Sequence, residues 1–467
     1  MSIQISKLQI LYVNNMYELK FILFTILILI SSLCYFNETY AINESNKKLI
    51  LNSSSRIFDN DNNNSPVLGH IFSKIANITN NNYDSVYGQI AAIDNNVYVV
   101  WQESITNNSN EKNYEVYLKK SEDQGNTFSK AINLSNNSGF SEHPQIAVSK
   151  NGIFIVWADN TNSDNTEIMF TKSLDNGTTF DEIKNLSNNS KNSNNQEISV
   201  SDQNVYVVWQ DIDKPQSHNS KNILNKKEIS SSIIFRGSTD SGNTFSDEIE
   251  ITNNTYDSYP KVNSYQNYAY VVWNSENKSS SKDYKNSGLF FIRSSDYGKN
   301  FDNSIRLVDN NFGESQISVF KDKLVIVWGG LHAKNITDIY FVQSNDNGAS
   351  FTDPSIILQK GTKPTGNSYS DRINNPSNVE IANNDHSYTV WQDIISQENQ
   401  DIFISNIKNN NQSNKILNLS NNSGISECPS IAISNNNIYV VWEDFTPGNH
   451  EILFTKGEIN NNKNNNK

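Results

Sequence analysis

Acidic residues that recur beside a repeated tryptophan are the side chains of this sequence best suited to chemistry. Each of the seven Trp closes an apolar phrase such as Val99-Val100-Trp101, and an Asp or Glu follows six of them within three positions. A second set of acids precedes the first strands of the repeats. Carboxylates gathered at one rim could bind a hard cation such as Ca²⁺, or act in pairs on a glycosidic bond. The first set is Glu103, Asp159, Asp211, Glu276, Asp393 and Asp444, and the second is Asp84, Glu142, Asp257, Glu314 and Glu427.

The same acids have a simpler interpretation, in which they cap strand ends and keep the surface soluble. Histidines also fall in these loops, but their spacing is not that of a transition-metal site. The sequence has no Gly-x-Ser-x-Gly elbow, phosphate-binding loop or His-Glu-x-x-His motif. Nearby tyrosines could stack on sugar rings or pack within the fold. The histidines are His143, His218, His332 and His450, and the tyrosines are Tyr83, Tyr87, Tyr256, Tyr259 and Tyr369.

A repeated unit must position these side chains, and the tryptophan spacing predicts one. Trp101 and Trp442 are 341 positions apart in six steps, so one repeat takes about 57 residues, as expected for a four-stranded propeller blade with its loops. In the second repeat, four β-branched or aromatic runs are bounded by Asn, Asp, Gly and Ser, which is typical of strands and turns. No helical period competes, so we predict an all-β fold. The runs are Gln145–Val148, Ile153–Trp157, Glu167–Thr171 and Phe180–Leu186.

A second marker, Ser-x-Asp-x-Gly-x-x-Phe, lies between the third and fourth strands of five repeats. In a hairpin the Asp carboxylate accepts hydrogen bonds from turn amides, the Gly adopts a positive φ, and the Phe anchors the turn in the blade interior. We expect these residues to be structural. They are Asp123, Gly125 and Phe128, Asp175, Gly177 and Phe180, Asp240, Gly242 and Phe245, Asp296, Gly298 and Phe301, and Asp346, Gly348 and Phe351.

These boxes resemble those of the BNR-repeat, or Asp-box, β-propellers, a superfamily that includes the sialidases (neuraminidases) and many non-enzymatic secreted proteins. The resemblance covers residues 68–458. It implies that the boxes are structural and face away from the functional site. It also implies that an active sialidase would hold the substrate carboxylate with three Arg, and would use a Tyr nucleophile activated by Glu together with an Asp acid.

The arginines of this sequence do not form such a triad. Arg236 and Arg293 stand directly before boxes, and Arg306 falls on an outer strand, so only Arg56 and Arg372 could reach the rim. We therefore predict a non-catalytic, sialidase-like module that binds a glycan or a protein at the cell surface. A sialidase-like glycoside hydrolase and a structural envelope glycoprotein are the alternatives. The rim-face binding candidates are Glu103, Asp159, Asp211, Asp393, Asp444, Glu142, Glu427 and Arg372.

The two ends of the repeat region predict how the propeller closes. The last repeat stops after its third strand, and Phe72–Thr79 resembles an orphan fourth strand. An N-terminal strand that completes the last blade would remove a free sheet edge. We therefore predict a seven-bladed β-propeller of four-stranded blades, closed in this way. A six-bladed sialidase-type propeller is the alternative.

An apolar stretch near the N-terminus, Phe21–Phe36, follows Lys20 and indicates export. Its length fits a signal-peptide core better than a membrane span of about 20 residues, and an uncleaved anchor is the alternative. Sequons such as Asn133-Leu134-Ser135 would be glycan acceptors on an exported chain. The predicted organisation is a signal peptide or N-terminal anchor at 1–41, an Asn/Ser-rich linker at 42–67, the Asp-box propeller at 68–458 and an Asn/Lys-rich tail at 459–467.

Composition narrows the choice of partners. The 467 residues include 37 basic and 50 acidic side chains, which gives a net charge of −13. Nucleic acid is therefore not expected as a partner, because binding it requires a basic face. We expect an extracellular monomer that binds a glycan or an extracellular protein and touches the membrane only through an uncleaved N-terminal segment. We expect no cofactor, unless the rim acids bind Ca²⁺.

Overall fold

The computed structural model describes residues 72–106, 112–161, 165–214, 230–252, 256–276, 288–309, 313–333, 336–358, 377–396, 398–407 and 416–459. All of them belong to the second of two compact units, Ile57–Lys467. The predicted export segment and linker, Arg56, Arg372 and Tyr369 lie outside the described residues. No helix in the described part of the chain is long and apolar enough to cross a membrane.

The described residues form 28 β-strands, which pair as groups of four that we number as sheets 1 to 7. Sheet 1 contains β2 (Ser85–Ile93), β3 (Asn96–Thr106), β4 (Lys112–Ser121) and β5 (Ile132–Asn133); sheet 2 contains β6 (Ser141–Ser149), β7 (Gly152–Asp159), β8 (Glu167–Ser173) and β9 (Lys184–Asn185); sheet 3 contains β10 (Asn192–Ser201), β11 (Asn204–Ile212), β12 (Ser231–Ser238) and β13 (Ile249–Glu250). Sheet 4 contains β14 (Tyr256–Tyr265), β15 (Tyr268–Glu276), β16 (Gly288–Ser294) and β17 (Ile305–Asp309); sheet 5 contains β18 (Ser315–Phe320), β19 (Lys323–Ala333), β20 (Ile336–Ser344) and β21 (Ser355–Leu358). Sheet 6 contains β22 (Ser377–Asn383), β23 (Ser387–Ser396), β24 (Asn399–Ile407) and β25 (Ile416–Asn418); sheet 7 contains β26 (Ser426–Ser434), β27 (Asn437–Asp444), β28 (Glu451–Glu458) and β1 (Ala76–Asn77).

Pairing within each sheet is antiparallel and follows chain order, which confirms the predicted all-β, four-stranded units. Sheet 7 differs because its fourth strand comes from the N-terminal side: Ala76 pairs with Phe454 and Asn77 with Leu453. A single parallel bridge between Ser231 and Tyr256 also links sheets 3 and 4. The first strand of each sheet contacts the first strand of the next, and β26 contacts β2.

The core lies between neighbouring sheets. Each Trp sits in the second strand of its sheet and is at most 4% exposed. Trp209 packs in one cluster with Phe170 of sheet 2, and Trp101 packs in another with Phe454 of sheet 7. Burying one such apolar side chain stabilises the fold by roughly 1.5–3 kcal/mol. The tryptophan repeat therefore marks the contacts that hold sheet against sheet.

The two ends of the sheets carry different connections. Because successive strands are antiparallel, the loops between strands two and three share one end with the loops that lead into the next sheet. We call this the rim end; one such contact joins Phe445 N to Ile425 O at 3.0 Å. The Asp boxes and the turns between strands one and two lie at the opposite end, which we call the box end.

Candidate functional site

The five Asp-box turns at the box end share one hydrogen-bond pattern. In the first, Gly125 N donates to Ser121 Oγ at 2.8 Å, and Ser121 Oγ donates to Asp123 Oδ1 at 2.7 Å. Thr127 N and Oγ1 donate to the two oxygens of Asp123 at 2.8 and 2.7 Å. Gln124 and Gly125 have φ of 60° and 79°, as in a mirror-image two-residue hairpin turn. The other turns have glycine φ values of 73–78°, at Gly177, Gly242, Gly298 and Gly348.

These turns are also joints between sheets, because the box Phe packs against the preceding sheet. Phe245 meets Phe170 of sheet 2 edge-on, with ring centroids 5.0 Å apart. Phe128 meets Phe454 of sheet 7 in the same way at 5.1 Å. The interpretation of the Phe as an anchor inside its own blade was therefore incomplete. Equivalent pairs are Phe301 with Phe235 and Phe351 with Phe291, and Phe180 packs on the cluster between sheets 1 and 2.

Hydrogen bonds within the turn lower the pKa of the box carboxyl groups. The Thr127 hydroxyl and amide and the Ser121 hydroxyl lower the pKa of Asp123 to about 2. The pKa of Asp240, Asp296 and Asp346 is likewise lowered to about 2 by their turn donors, and that of Asp175 is lowered further. Asp123, Asp175 and Asp346 are exposed, and Asp240 and Asp296 are half-buried. All five carboxyl groups remain ionised at neutral pH, with their oxygens used by the turn.

At the rim end, the acids that follow the tryptophans tie strands together. Asp444 is fully buried, and its carboxylate accepts hydrogen bonds from Trp442 Nε1 at 3.1 Å, Ser426 Oγ at 2.7 Å and Asn422 Nδ2 at 2.7 Å. Thr446 N donates to its other oxygen at 2.9 Å. Glu103, Asp159 and Asp211, which are at most 7% exposed, accept from the corresponding Trp, Ser and Asn. This arrangement favours the strand-end role over an open electronegative funnel.

Sequence reasoning missed a second layer of buried acids, on the third strands. The Glu115 carboxylate accepts hydrogen bonds from Ser135 Oγ, from Asn137 N at 3.0 Å and from Asn113 Nδ2 at 3.2 Å. Asn133 Oδ1 accepts from Asn136 N at 2.9 Å. Glu167, Asp401 and Glu451 have the equivalent hydroxyl partners Ser187, Ser420 and Thr79.

The repeated pattern Asn-x-Ser/Thr-Asn-Asn was the sequence signal for this layer. The first three residues of each copy form a sequon, but the Ser or Thr side chain of that sequon is buried against an acidic side chain of the third strand. The fourth strand and the loop after it use this motif to reach the third strand. Four sequons therefore have a structural role, whatever their glycosylation: Asn77-Ile78-Thr79, Asn133-Leu134-Ser135, Asn185-Leu186-Ser187 and Asn418-Leu419-Ser420.

We call the junction between two neighbouring sheets a seam. Among the described residues, the side chain one position after Trp links the sheets at three seams, and we call these links seam clamps. Each accepts the amide of a left-handed residue at a bulge in the next first strand, with φ of 47–54°. Gln102 Oε1 accepts from His143 N at 2.8 Å, and Gln392 Oε1 accepts from Cys428 N at 2.8 Å. Glu443 Oε2 accepts from Tyr87 N at 3.0 Å, which joins sheet 7 to sheet 1.

The Glu443 clamp lies in an environment of titratable groups. Glu443 is 2% exposed, and its Oε1 is 3.9 Å from His450 Nδ1. Burial, with added repulsion from Glu427 and Asp84, raises the pKa of Glu443 to about 8, although the Tyr87 amide opposes the shift. Burial also lowers the pKa of His450. At neutral pH the clamp therefore carries a proton.

Exposed aromatic side chains lie in the rim-end loops of sheets 7, 1 and 2. Tyr83, Phe140 and Phe445 are 47%, 39% and 46% exposed. The ring centroids of Phe445 and His450 are 5.0 Å apart, and those of Phe140 and Tyr114 are 5.9 Å apart. Asn449 Nδ2 donates to Tyr83 O at 2.6 Å, and His450 N donates to Asp84 Oδ1 at 3.3 Å. We call Tyr83, Tyr114, Phe140, Phe445 and His450 the rim strip; it extends over sheets 7, 1 and 2.

The remaining predicted rim residues are less exposed than expected. Glu142 and Glu427 are half-buried, which raises the pKa of both, and Gln400 Nε2 donates to Glu427 at 2.9 Å. Asp393 is 4% exposed. Tyr87 is half-buried with its ring against His143, at a centroid distance of 4.4 Å. Arg372 and the side chain of Glu276 lie outside the described residues.

The three described arginines are not near the rim strip. Arg236 donates to Ser246 O and Leu186 O, and Arg293 bonds Asp302 at 2.8 Å and Asn347 O at 2.8 Å. Arg306 pairs with Asp309 at 2.7 Å on β17. Each guanidinium is therefore used by its own sheet or its neighbour, as expected from the sequence positions.

A separate charged group joins the first strands of sheets 3 to 6. Lys261 Nζ pairs with Glu197, and Gln316 Nε2 donates to both oxygens of Glu380 at 2.8 Å. Burial raises the pKa of Glu380 to about 7, although Lys261 opposes the shift. Burial lowers the pKa of Lys261, but Glu197, Glu380 and Glu314 outweigh it and raise the value. No set of three or more His, Cys, Asp or Glu side chains within the described ranges is arranged to hold a metal ion.

Comparisons with known proteins return sialidase-type folds. No family model matches the chain, and no curated protein is similar to it in sequence. Among solved structures, the Hadza microbial sialidase Hz136 is 12% identical, with a TM-score of 0.43 and 74% of each chain covered. A protein of unknown function from Dyadobacter fermentans is 11% identical, with a TM-score of 0.48, covering 84% of this chain and 100% of its own. The leech intramolecular trans-sialidase is 13% identical, with a TM-score of 0.42, covering 81% of this chain and 68% of its own.

Proposed function

We propose that this protein is a seven-bladed, sialidase-like β-propeller that acts outside the cell as a non-catalytic binding module, with the rim strip as the surface that binds a glycan. The exposure of Tyr83, Phe140 and Phe445 carries this proposal. Large aromatic side chains are costly to leave in water. Aromatic faces beside polar groups are suited to the apolar faces and hydroxyls of sugar rings.

The ring proposal rests on two contacts that add the N-terminal strand to sheet 7 and two that join sheet 7 to sheet 1. β1 pairs with β28, and the motif hydroxyl of Thr79 bonds Glu451 as Ser135 bonds Glu115 within sheet 1. The Phe128–Phe454 contact repeats the other box joints. The Glu443 clamp repeats the clamps of Gln102 and Gln392. Closure by the motifs used elsewhere leaves no exposed sheet edge between the seventh and first blades.

Two observations favour binding over catalysis. The acids after the tryptophans already accept several hydrogen bonds each, as Asp444 and Asp159 do, so they are poorly available as nucleophiles or proton donors. The described arginines are engaged away from the rim strip, so an anionic sugar would find no bidentate partner among them. A glycan ligand without a required carboxylate fits this surface best.

A glycan array tests the proposal. The exported chain would be applied to neutral, amino and sialylated oligosaccharides with and without Ca²⁺, in parallel with a fluorogenic sialoside hydrolysis assay. We expect binding to neutral or amino sugars and no hydrolysis. Turnover of the sialoside would overturn the non-catalytic assignment. Binding by wild type that persists in Tyr83→Ala/Phe445→Ala would overturn the assignment of the rim strip.

A further inference from the structure

The seam clamp between sheets 7 and 1 differs from the two glutamine clamps in its functional group. Gln102 and Gln392 accept the bulge amide with an uncharged carboxamide, whereas Glu443 accepts it with a carboxyl group. All three acceptors have the same place in their repeat, directly after Trp. The geometry of the clamp therefore does not require a titratable group, since an amide makes the same bond elsewhere.

We propose that Glu443 makes this seam a proton-controlled latch, in which ionisation of the carboxyl group loosens the junction between the last and first sheets while the glutamine clamps are unaffected. The inference concerns conformational control and does not depend on which ligand the rim strip binds. It places the pH-sensitive junction between β27 of sheet 7 and β2 of sheet 1.

The groups facing Glu443 explain why its charge would be unfavourable. From sheet 7, Glu427 lies close enough to repel it, and from the loop into sheet 1, Asp84 does the same. His450 is the nearest basic group, but its Nδ1 is 3.9 Å away, and burial keeps this imidazole from gaining a proton easily. No Lys or Arg forms an ion pair with Glu443 in the part of the chain that the structure describes. An ionised carboxylate would strengthen its bond to the Tyr87 amide, but burial and the repulsion from Glu427 outweigh this gain.

The direction of the pH effect follows from the two protonation states. The pKa of Glu443 is about 8 in the folded protein, against an ordinary value of 4.5. Between these values the folded state retains a proton that the unfolded chain has released. The stabilisation due to this proton is complete below about pH 4.5, declines as the pH rises, and is lost once the pH passes about 8.

Thermal unfolding of the full exported chain between pH 6 and pH 9.5 tests the latch. We expect the wild-type Tm to fall across this range, and the fall to be smaller in Glu443→Gln. Gln102→Glu, which adds a carboxyl group to a seam that now has an amide, should enlarge the fall. Glu380→Gln should reduce the fall by a separate amount, because this carboxyl group of sheet 6 has a pKa raised to about 7 and titrates in the same range. The effect of Glu443→Gln should be the same in the wild-type and Glu380→Gln backgrounds.

Hydrogen exchange of the clamp amides localises the effect without any substitution. After correction for intrinsic base catalysis, we expect protection of the Tyr87 amide to fall about a hundredfold between pH 6 and pH 9, the equivalent of about two pKa units. Protection of the His143 and Cys428 amides, held by glutamines, should stay constant. The proposal is overturned if all three amides change in parallel, or if Glu443→Gln keeps the wild-type dependence of Tm on pH.

Discussion

The box end and the rim end use acidic side chains in opposite ways. At the box end, Asp123 is exposed, and the donors of its own turn lower its pKa to about 2. At the rim end, burial dominates and raises the pKa of Glu115 and Glu443 despite their hydrogen bonds. Hydrogen bonds from a local turn favour the ionised form, whereas burial between sheets disfavours it. An acidic residue that recurs in a repeat can therefore stabilise its own turn while exposed, or link neighbouring strands while buried.

The largest effect should come from a buried rim tie. Asp444→Ala leaves the donors of Trp442, Ser426 and Asn422 without their buried acceptor, so we expect a loss of about 3–5 kcal/mol in the free energy of unfolding. Urea denaturation of the wild type and of Asp444→Ala measures this loss. Asp444→Asn, which keeps one acceptor oxygen, should lose less. A loss below about 1 kcal/mol for the alanine variant would contradict the structural role.

The box glycines should give the next largest effect. In Gly125→Ala the backbone would have to hold φ of 79°, and the new Cβ would lie 2.4 Å from Phe454 Cζ. We expect a loss of about 1–3 kcal/mol in the free energy of unfolding, because backbone strain and the clash between sheets add. Gly448→Ala is the matched control, with a positive φ but no atom within 4 Å of the added Cβ. Equal losses in the two variants would show that the joint with Phe454 is unimportant.

A box carboxylate should have a smaller effect with a distinctive pH dependence. Asp346→Asn weakens the acceptor of Ser344 and Ser350, and we expect a loss of about 1 kcal/mol near pH 7, similar to that of a helix cap. The pKa of Asp346 is lowered from 3.8 to about 2, so its contribution is present above pH 3.8 and is lost as the pH falls through 2. The wild-type and variant unfolding curves, measured from pH 7 to pH 2, should therefore converge. A constant difference would show that ionisation of Asp346 does not matter.

The rim strip should have the smallest effect on stability. Phe445 is 46% exposed, so Phe445→Ala should change the free energy of unfolding by about 0.5 kcal/mol or less. Trp157→Ala, a fully buried control, should lose several times more. If Phe445→Ala destabilised the fold as much as Trp157→Ala, the Phe445 ring would be part of the packing, and the binding assignment would lose its support.

The sequence predicted the repeated strands and the box turns because their signals are local. Trp209 with its apolar run marks a second strand, and the box residues lie within one hairpin. The predicted fourth strand Phe180–Leu186 was too long, since pairing is limited to Lys184–Asn185. On either side of this pairing, the chain after the box reaches β8 through single bonds, such as Leu186 N to Ile168 O at 2.7 Å.

The candidate site was harder to predict because it depends on which way a side chain faces. Trp101 and Glu103 are two positions apart in a strand, so both face the interior between sheets. Applying this alternation would have predicted that the carboxylate accepts a hydrogen bond from Trp Nε1, rather than that it lines an open channel. The exposed rings of Tyr83, Phe140 and Phe445 come from separate repeats, and no local spacing links them.

The most direct test compares the two kinds of rim side chain in one binding experiment. Wild type, Tyr83→Ala/Phe445→Ala and Asp444→Asn would be applied to the same array of neutral, amino and sialylated oligosaccharides, with Tm measured for each protein. The aromatic double variant should lose binding at an unchanged Tm, and Asp444→Asn should lower the Tm while its folded fraction still binds. Undiminished binding by the double variant, or loss of binding by Asp444→Asn at an unchanged Tm, would contradict this account.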